Sequence, residues 1–307
     1  MLGTALTLLL CATASEVFLR TRILPGDPFW KHVDLFYAAP ATDAAFGDSQ
    51  MARGFTGFKT FVNLAYPADS VSQMSVAAKA FYAHKNPGRV VFEAGPQMLA
   101  GAGLEEFPRD YEQIFAEGHK RYAPLGLYIL DGYYRSRIVE YFRLKVFPEE
   151  DVNRRTVLLP TGGLMNDASM AAMLTPADAK REDLLVQKRV RAHAPPIGFE
   201  QSEDARVYQD TIAWLVARGA SVCIVTMPVA PIYRATLKQI GYEARFAAAL
   251  AFYEDLARKR GVTYVSYWDQ ISDTNLFINA DHLNSKGARV VTARMMRDCF
   301  GGAPGTD

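Results

Sequence analysis

Short apolar runs alternate along this chain with longer stretches whose apolar positions recur at helical spacing. Ala44–Phe46 and Phe61-Val62-Asn63-Leu64 read as short strands. From Ser70 to His84, residues Val71, Met74, Ala78 and Phe81 share one helical face, and Asn86-Pro87-Gly88 breaks the pattern. Val90 to Ala94 is a third strand, ending at Gly95-Pro96. The rhythm resumes after residue 200. A helix is predicted from Asp204 to Arg218, a buried strand from Ser221 to Thr226, and a helix from Arg245 to Arg260. A strand follows over Thr263 to Tyr267, and a last helix from about Lys286 to about Cys299. Strands alternating with helices predict a parallel sheet covered by helices.

Three stretches depart from this rhythm. Gly26 to Pro40, aromatic and punctuated by proline, reads as a surface connection. Residues 98–200 read as an inserted helical cap, with an aromatic, arginine-rich part from Tyr128 to Phe147 and loop signals at Gly162-Gly163 and Pro195-Pro196. The expected fold is a three-layer α/β/α sandwich with a parallel sheet over residues 41–300 and the cap inserted in it. Residues 1–25 form a separate segment. Leu2 to Ser15 is uncharged and rich in leucine and alanine, yet shorter than the roughly 20 residues that span a bilayer core. A trimmed membrane anchor, the apolar region of a signal peptide and a buried helix all fit this run. The reading taken is an anchor or export segment, which would place the protein outside the cytoplasm at the cell envelope.

Composition narrows the chemistry. The 307 residues carry a formal net charge of +1, which gives no reason to expect nucleic acid as a partner. Cys11, Cys223 and Cys299 lack metal-ligand spacing, and Cys223, in an apolar run, reads as a buried thiol. The histidines show no HxH or HxxxH pattern, so neither a metal nor a cofactor is expected.

Two loops carry candidate chemistry. In Phe46-Gly47-Asp48-Ser49 a serine directly follows a strand, and in Asp281-His282-Leu283-Asn284 a histidine precedes the last helix. Both positions fall where ligands bind above a parallel sheet. A serine hydroxyl needs a base to take its proton, the base needs a group to fix its tautomer, and the developing oxyanion needs donors. Ser49 is the candidate nucleophile, His282 the base and Asp281 the third member.

These blocks resemble those of the SGNH (GDSL-type) hydrolase superfamily. Gly47-Asp48-Ser49 matches its first block, while Asn63 with Ala68 and Gly95 with Gln97 fall where its second and third blocks lie. Asn279-Ala280-Asp281-His282 falls on the last block, Asp-x-x-His. The resemblance implies that the Ala68 N–H and the Gln97 amide face the oxyanion. Ala68, Gln97 and Asn279 replace a glycine, an asparagine and an aspartate, and an amide at 279 threatens the tautomer that catalysis needs. The chain is most similar to envelope proteins of alginate O-acetylation and teichoic acid D-alanylation. Shared pieces are the N-terminal run, Pro228-Val229-Ala230-Pro231 and His282-Leu283-Asn284. This implies an acylated carbohydrate or envelope polymer as substrate and a membrane-bound O-acyltransferase as partner.

Plainer roles stand beside these. A Gly-Asp-Ser turn alone carries little weight, and Asp48 can simply cap a helix. Arg53, Arg135 and Arg137 can bind an anionic glycan or lie in solvent. Tyr128, Tyr133, Tyr134 and Tyr141 can stack on sugars or pack a helical core. Glu105-Glu106 and Glu149-Glu150 read as solvated faces. Two other functions fit the sequence: a catalytically degenerate domain that binds a glycan or docks on an acyltransferase, and a soluble lipase or thioesterase.

Overall fold

The near-continuous apolar strands pair in parallel, as strands buried on both faces do. The computed structural model describes residues 2–101, 111–116, 128–147, 156–170 and 176–302. In chain order the elements are α1 (Leu2–Phe18), α2 (Pro28–Ala38), β1 (Asp43–Phe46), α3 (Ser49–Gly54), β2 (Phe61–Asn63), α4 (Val71–Phe81) and β3 (Arg89–Glu93). Next come α5 (Tyr111–Ala116), α6 (Gly132–Val146), β4 (Val157–Leu158), β5 (Leu164–Met165) and α7 (Pro176–Ala192). The chain closes with α8 (Glu203–Ala217), β6 (Ser221–Thr226), α9 (Pro231–Gln239), α10 (Glu243–Arg260), β7 (Thr263–Ser266) and α11 (Ser285–Phe300).

Two units divide these elements, residues 1–38 with 105–154, and residues 39–104 with 155–307. The second holds a five-stranded sheet in the order β2-β1-β3-β6-β7. Alternation along the strands sends Ala45, Val91, Cys223 and Val225 into one cluster with Met51 and Phe55 beside α3 and Met295 and Met296 of α11. Phe46 and Phe92 take the other side, where their rings meet Phe81, Tyr82 and Tyr208. Helices on both faces make this an α/β fold compatible with a three-layer sandwich. β1 has β2 on one side and β3 on the other, so the strand order reverses at its carboxyl end. Ser49 lies at that switch point.

Several expectations are corrected. Gly26 to Pro40 is not a surface connection, because α2 fills most of it and buries Phe29, Trp30, Val33 and Phe36. Its prolines mark boundaries: Pro28 opens the helix, where a missing N–H costs nothing, and Asp27 Oδ1 accepts from the Phe29 N–H at 3.0 Å. Cys223 is no free thiol but is joined to Cys299, a link from β6 to α11 that their 76-residue separation hides in the sequence. The stretch after Pro228 starts another helix, α9, with Pro231 in its first turn.

Of residues 98–200, the part 105–154 groups with the N-terminal segment and 155–200 with the sheet. Parts of that stretch, including Glu105-Glu106 and Glu149-Glu150, lie outside the described residues. In the first unit Tyr133 and Tyr134 are buried, so core packing is their role. Arg137 pairs with Glu140 at 2.7 Å, and Arg135 donates to the carbonyls of Ile129 and Leu130. α1 is not a buried helix: Leu6, Leu8, Leu9 and Leu10 are each about 60% exposed. No helix among the described residues is long and apolar enough to cross a membrane.

Because the Cys223–Cys299 bridge closes a long loop, its reduction should cost about 2–4 kcal/mol of unfolding free energy. Urea unfolding with and without dithiothreitol measures this, and coincident curves would contradict it.

Candidate active site

The turn after β1 is built around a glycine. A Cβ on Gly47 would collide with the Glu93 carboxyl and with Met51, so only glycine fits there. Asp48 then caps α3, its Oδ1 accepting from the Gln50 N–H at 2.7 Å. Glu93, the last residue of β3, reaches beneath the turn. Its Oε2 accepts from the Asp48 N–H at 2.7 Å and from the Met51 N–H at 3.3 Å. Burial, and next the Asp48 carboxylate, hold the Glu93 carboxyl well above the usual range. Burial raises Asp48 as well, against the Gln50 N–H, which lowers it.

The loop before α11 is pinned at both ends. The Ile278 N–H donates to the His282 carbonyl at 2.8 Å, and the Asn284 N–H to the Leu276 carbonyl at 3.0 Å. Asn284 caps α11 through the Lys286 and Gly287 N–H groups. His282 thereby meets Ser49 across 233 residues, with Nε2 2.7 Å from the serine Oγ. Ser49 is only partly buried.

Asn279 orients the ring. Its Oδ1 accepts from the backbone N–H groups of Asp281 at 3.2 Å and His282 at 3.0 Å, and lies 3.0 Å from His282 Nδ1. Two backbone donors identify that atom as the oxygen, since an amide NH2 cannot accept from them. Nδ1 therefore carries the ring proton, and Nε2 turns its lone pair to the serine. The expected threat from an amide at 279 is thus reversed: this amide selects the needed tautomer.

Asp281 stands nearby in a different capacity. Its Oδ1 is 3.4 Å from His282 Nδ1, and the same oxygen pairs with Arg189 of α7. The tight turn keeps this carboxylate beside the ring, where an extended backbone would point it away. It supplies charge, and Asn279 supplies the hydrogen bond. Burial raises the Asp281 carboxyl, but His282, Arg189 and His193 together outweigh burial and hold it below the usual range. His282 is lowered to about 4, by burial first, with Asp281 raising it and Arg189, Arg53 and His193 lowering it further. At neutral pH the imidazole is an unprotonated base.

Oxyanion donors are the remaining need. Among the described residues, the N–H groups of Ser49 and Ala68 have no hydrogen-bond acceptor. Ala68 has φ +70°, the only non-glycine residue described with positive φ, a conformation costing roughly 1–2 kcal/mol in an L-residue. This is the position where the family resemblance puts a glycine. Its loop is tied to the serine turn by the Tyr66 N–H, which donates to the Gly47 carbonyl at 3.1 Å. The Gln97 amide nitrogen lies within 3.3 Å of Asp48 Oδ2, Gln50 Oε1 and Glu93 Oε1. Facing an oxyanion would require it to leave one of them. Asn63 holds the end of α3, its Nδ2 donating to the Phe55 carbonyl at 2.6 Å.

Sequence reasoning did not single out Glu93, Arg189 or His193. Glu93 closes an apolar strand, and Arg189 lies in a helix dense with charge, so neither carries a local signal. His193 Nδ1 sits 3.0 Å from the Tyr233 hydroxyl, an arrangement only the tertiary fold creates. No group of three or more His, Cys, Asp or Glu among the described residues could hold a metal. No known family model matches this chain, and no curated protein matches it in sequence.

Two predictions follow from this geometry. Because His282 titrates at about 4, any ester turnover should keep its kcat/KM as pH falls from 7 through the ordinary histidine range near 6.5. Asn279→Asp should move the acid limb upward, since a carboxylate stabilises the imidazolium. A wild-type limb near 6.5 would contradict the assignment. For Glu93, whose folded pKa is raised, the native state binds the extra proton, so stability falls as pH rises above 4.5 toward the folded value. Glu93→Gln, which mimics the protonated acid, should flatten that decline and leave the chain folded. Glu93→Ala should cost about 2–4 kcal/mol in urea unfolding, through lost hydrogen bonds and a cavity.

Proposed function

We propose that this chain is a serine-dependent acyl-ester enzyme of SGNH type, acting as esterase or O-acyltransferase on an acylated carbohydrate or cell-envelope polymer. One observation carries the reading: a partly exposed serine hydroxyl lies 2.7 Å from the Nε2 of a histidine whose opposite nitrogen is held by Asn279. The order of the sequence blocks supports the same family.

In the reaction His282 Nε2 takes the Ser49 proton as Oγ attacks the acyl carbon, and the carbonyl π electrons move to the oxygen. The Ser49 and Ala68 N–H groups receive that oxyanion. When the C–O bond to the alcohol breaks, the imidazolium returns its proton to the departing oxygen and the acyl group stays on Ser49. Water, or the hydroxyl of an acceptor sugar, then repeats the sequence in reverse and frees the serine. Asp281 offsets the positive charge on the ring in both halves.

The Cys223–Cys299 disulfide supports a destination outside the cytoplasm, where such bonds persist. The exposed leucines of α1 support attachment to a membrane or to a membrane-bound O-acyltransferase. A second reading, a domain that binds acylated glycans without turning them over, is favoured by one fact: the orienting group, Asn279, bears no charge.

A fluorophosphonate probe separates the two. The enzyme should be labelled, with labelling lost in Ser49→Ala and reduced at least about a hundredfold in His282→Ala. A wild-type chain that resists the probe moves the assignment to the binding domain.

A further inference from the structure

We propose that Arg53 and Arg189 form an anion subsite beside Ser49 and His282 that selects esters carrying a carboxylate. This rests on the ester-binding reading above and specifies the substrate class for that site.

Arg53 lies four residues after Ser49 on α3, a spacing that puts both side chains on one helical face. Arg53 is half-buried, yet among the described residues its guanidinium has no carboxylate within ion-pair distance. Its one hydrogen bond is a long one, Nη1 to Thr156 Oγ1 at 3.5 Å. Arginine stays charged under such conditions, and a half-buried charge without a direct ion pair is costly. Other arginines are better satisfied: Arg89 pairs with Asp43 at 2.7 Å, and Arg218 and Arg245 each donate to two backbone carbonyls.

Arg189 brings a second guanidinium to the same place. It uses one nitrogen on Asp281 and keeps 37% of its side chain exposed. Asp281 is within electrostatic reach of Arg53 and His193 as well. One carboxylate therefore faces two permanent cations, which leaves the surroundings of Asp281 short of one negative charge. Guanidinium groups meet a carboxylate with two parallel N–H donors, and a carboxylate-bearing substrate supplies the missing charge. Uncharged esters leave Arg53 as it is.

The test uses the full chain with Ser49→Ala, so that binding is read without turnover. Calorimetric titration should show para-acetoxybenzoate bound about tenfold or more tightly than its uncharged amide, para-acetoxybenzamide. Mono-para-nitrophenyl succinate, with its carboxylate on the acyl side, tells which side of the ester the subsite serves. Adding Arg53→Gln should abolish the preference, Arg189→Gln should reduce it, and Arg53→Lys should retain part of it. Raised salt should weaken it. Equal binding of acid and amide, or a preference that survives both glutamine variants, overturns the proposal. Because no step of this assay needs a nucleophile, a chain that ignores the fluorophosphonate but keeps the anion preference would refute the enzyme and not the subsite.

Discussion

The geometry of the Ser49–His282 pair depends on the side-chain oxygen of Asn279. Three N–H groups converge on it, two from the backbone of Asp281 and His282 and one from the imidazole. The backbone pair removes the ambiguity of an amide, because only oxygen can satisfy them. That choice propagates through the ring: proton on Nδ1, lone pair on Nε2, serine hydroxyl as donor. A carboxylate would give the same tautomer and add charge. Here the two jobs are divided, with geometry assigned to Asn279 and charge to Asp281 next door.

On the opposite side of the pair the serine is placed by a buried acid whose pKa is raised. Glu93 stands below the turn and accepts two of its N–H groups, and Gly47 exists as glycine because the carboxyl occupies the space of a Cβ. Were Glu93 ionised, it would confront the buried Asp48 carboxylate at close range. Sharing the Gln97 amide links the pair further. The residues read as an oxyanion block therefore serve first as the foundation of the serine turn.

Much of this was legible in the sequence for physical reasons. Central parallel strands are buried on both faces, so they appear as apolar runs, and all five were placed to within a residue or so of their ends. Helices α4, α8, α10 and α11 showed an apolar face or a glycine or asparagine at an end. Ser49 and His282 were readable because glycine, aspartate and asparagine mark the turns that hold them. The misses have a common cause. In α2 and α9, prolines at helix starts look like loop punctuation, and only burial of Phe29, Trp30 and Tyr233 reveals otherwise. The disulfide, the Glu93 clamp and the Arg189–Asp281 pair join residues far apart in the chain, and no local pattern encodes such meetings.

The charges around His282 carry a consequence for rate. Burial first, and then Arg189, Arg53 and His193, disfavour the imidazolium, which makes the ring a weak base. A weak base draws the serine proton poorly, but its conjugate acid gives a proton readily to a departing alkoxide. In the proposed reaction, attack on the ester is then the harder half. A carboxylate seated on the proposed Arg53–Arg189 subsite would cancel part of the field that opposes protonation of the ring, while burial would go on opposing it. Under that proposal the same two arginines would link recognition to activation, because the group that identifies the substrate would also relieve part of the electrostatic opposition to its own attack.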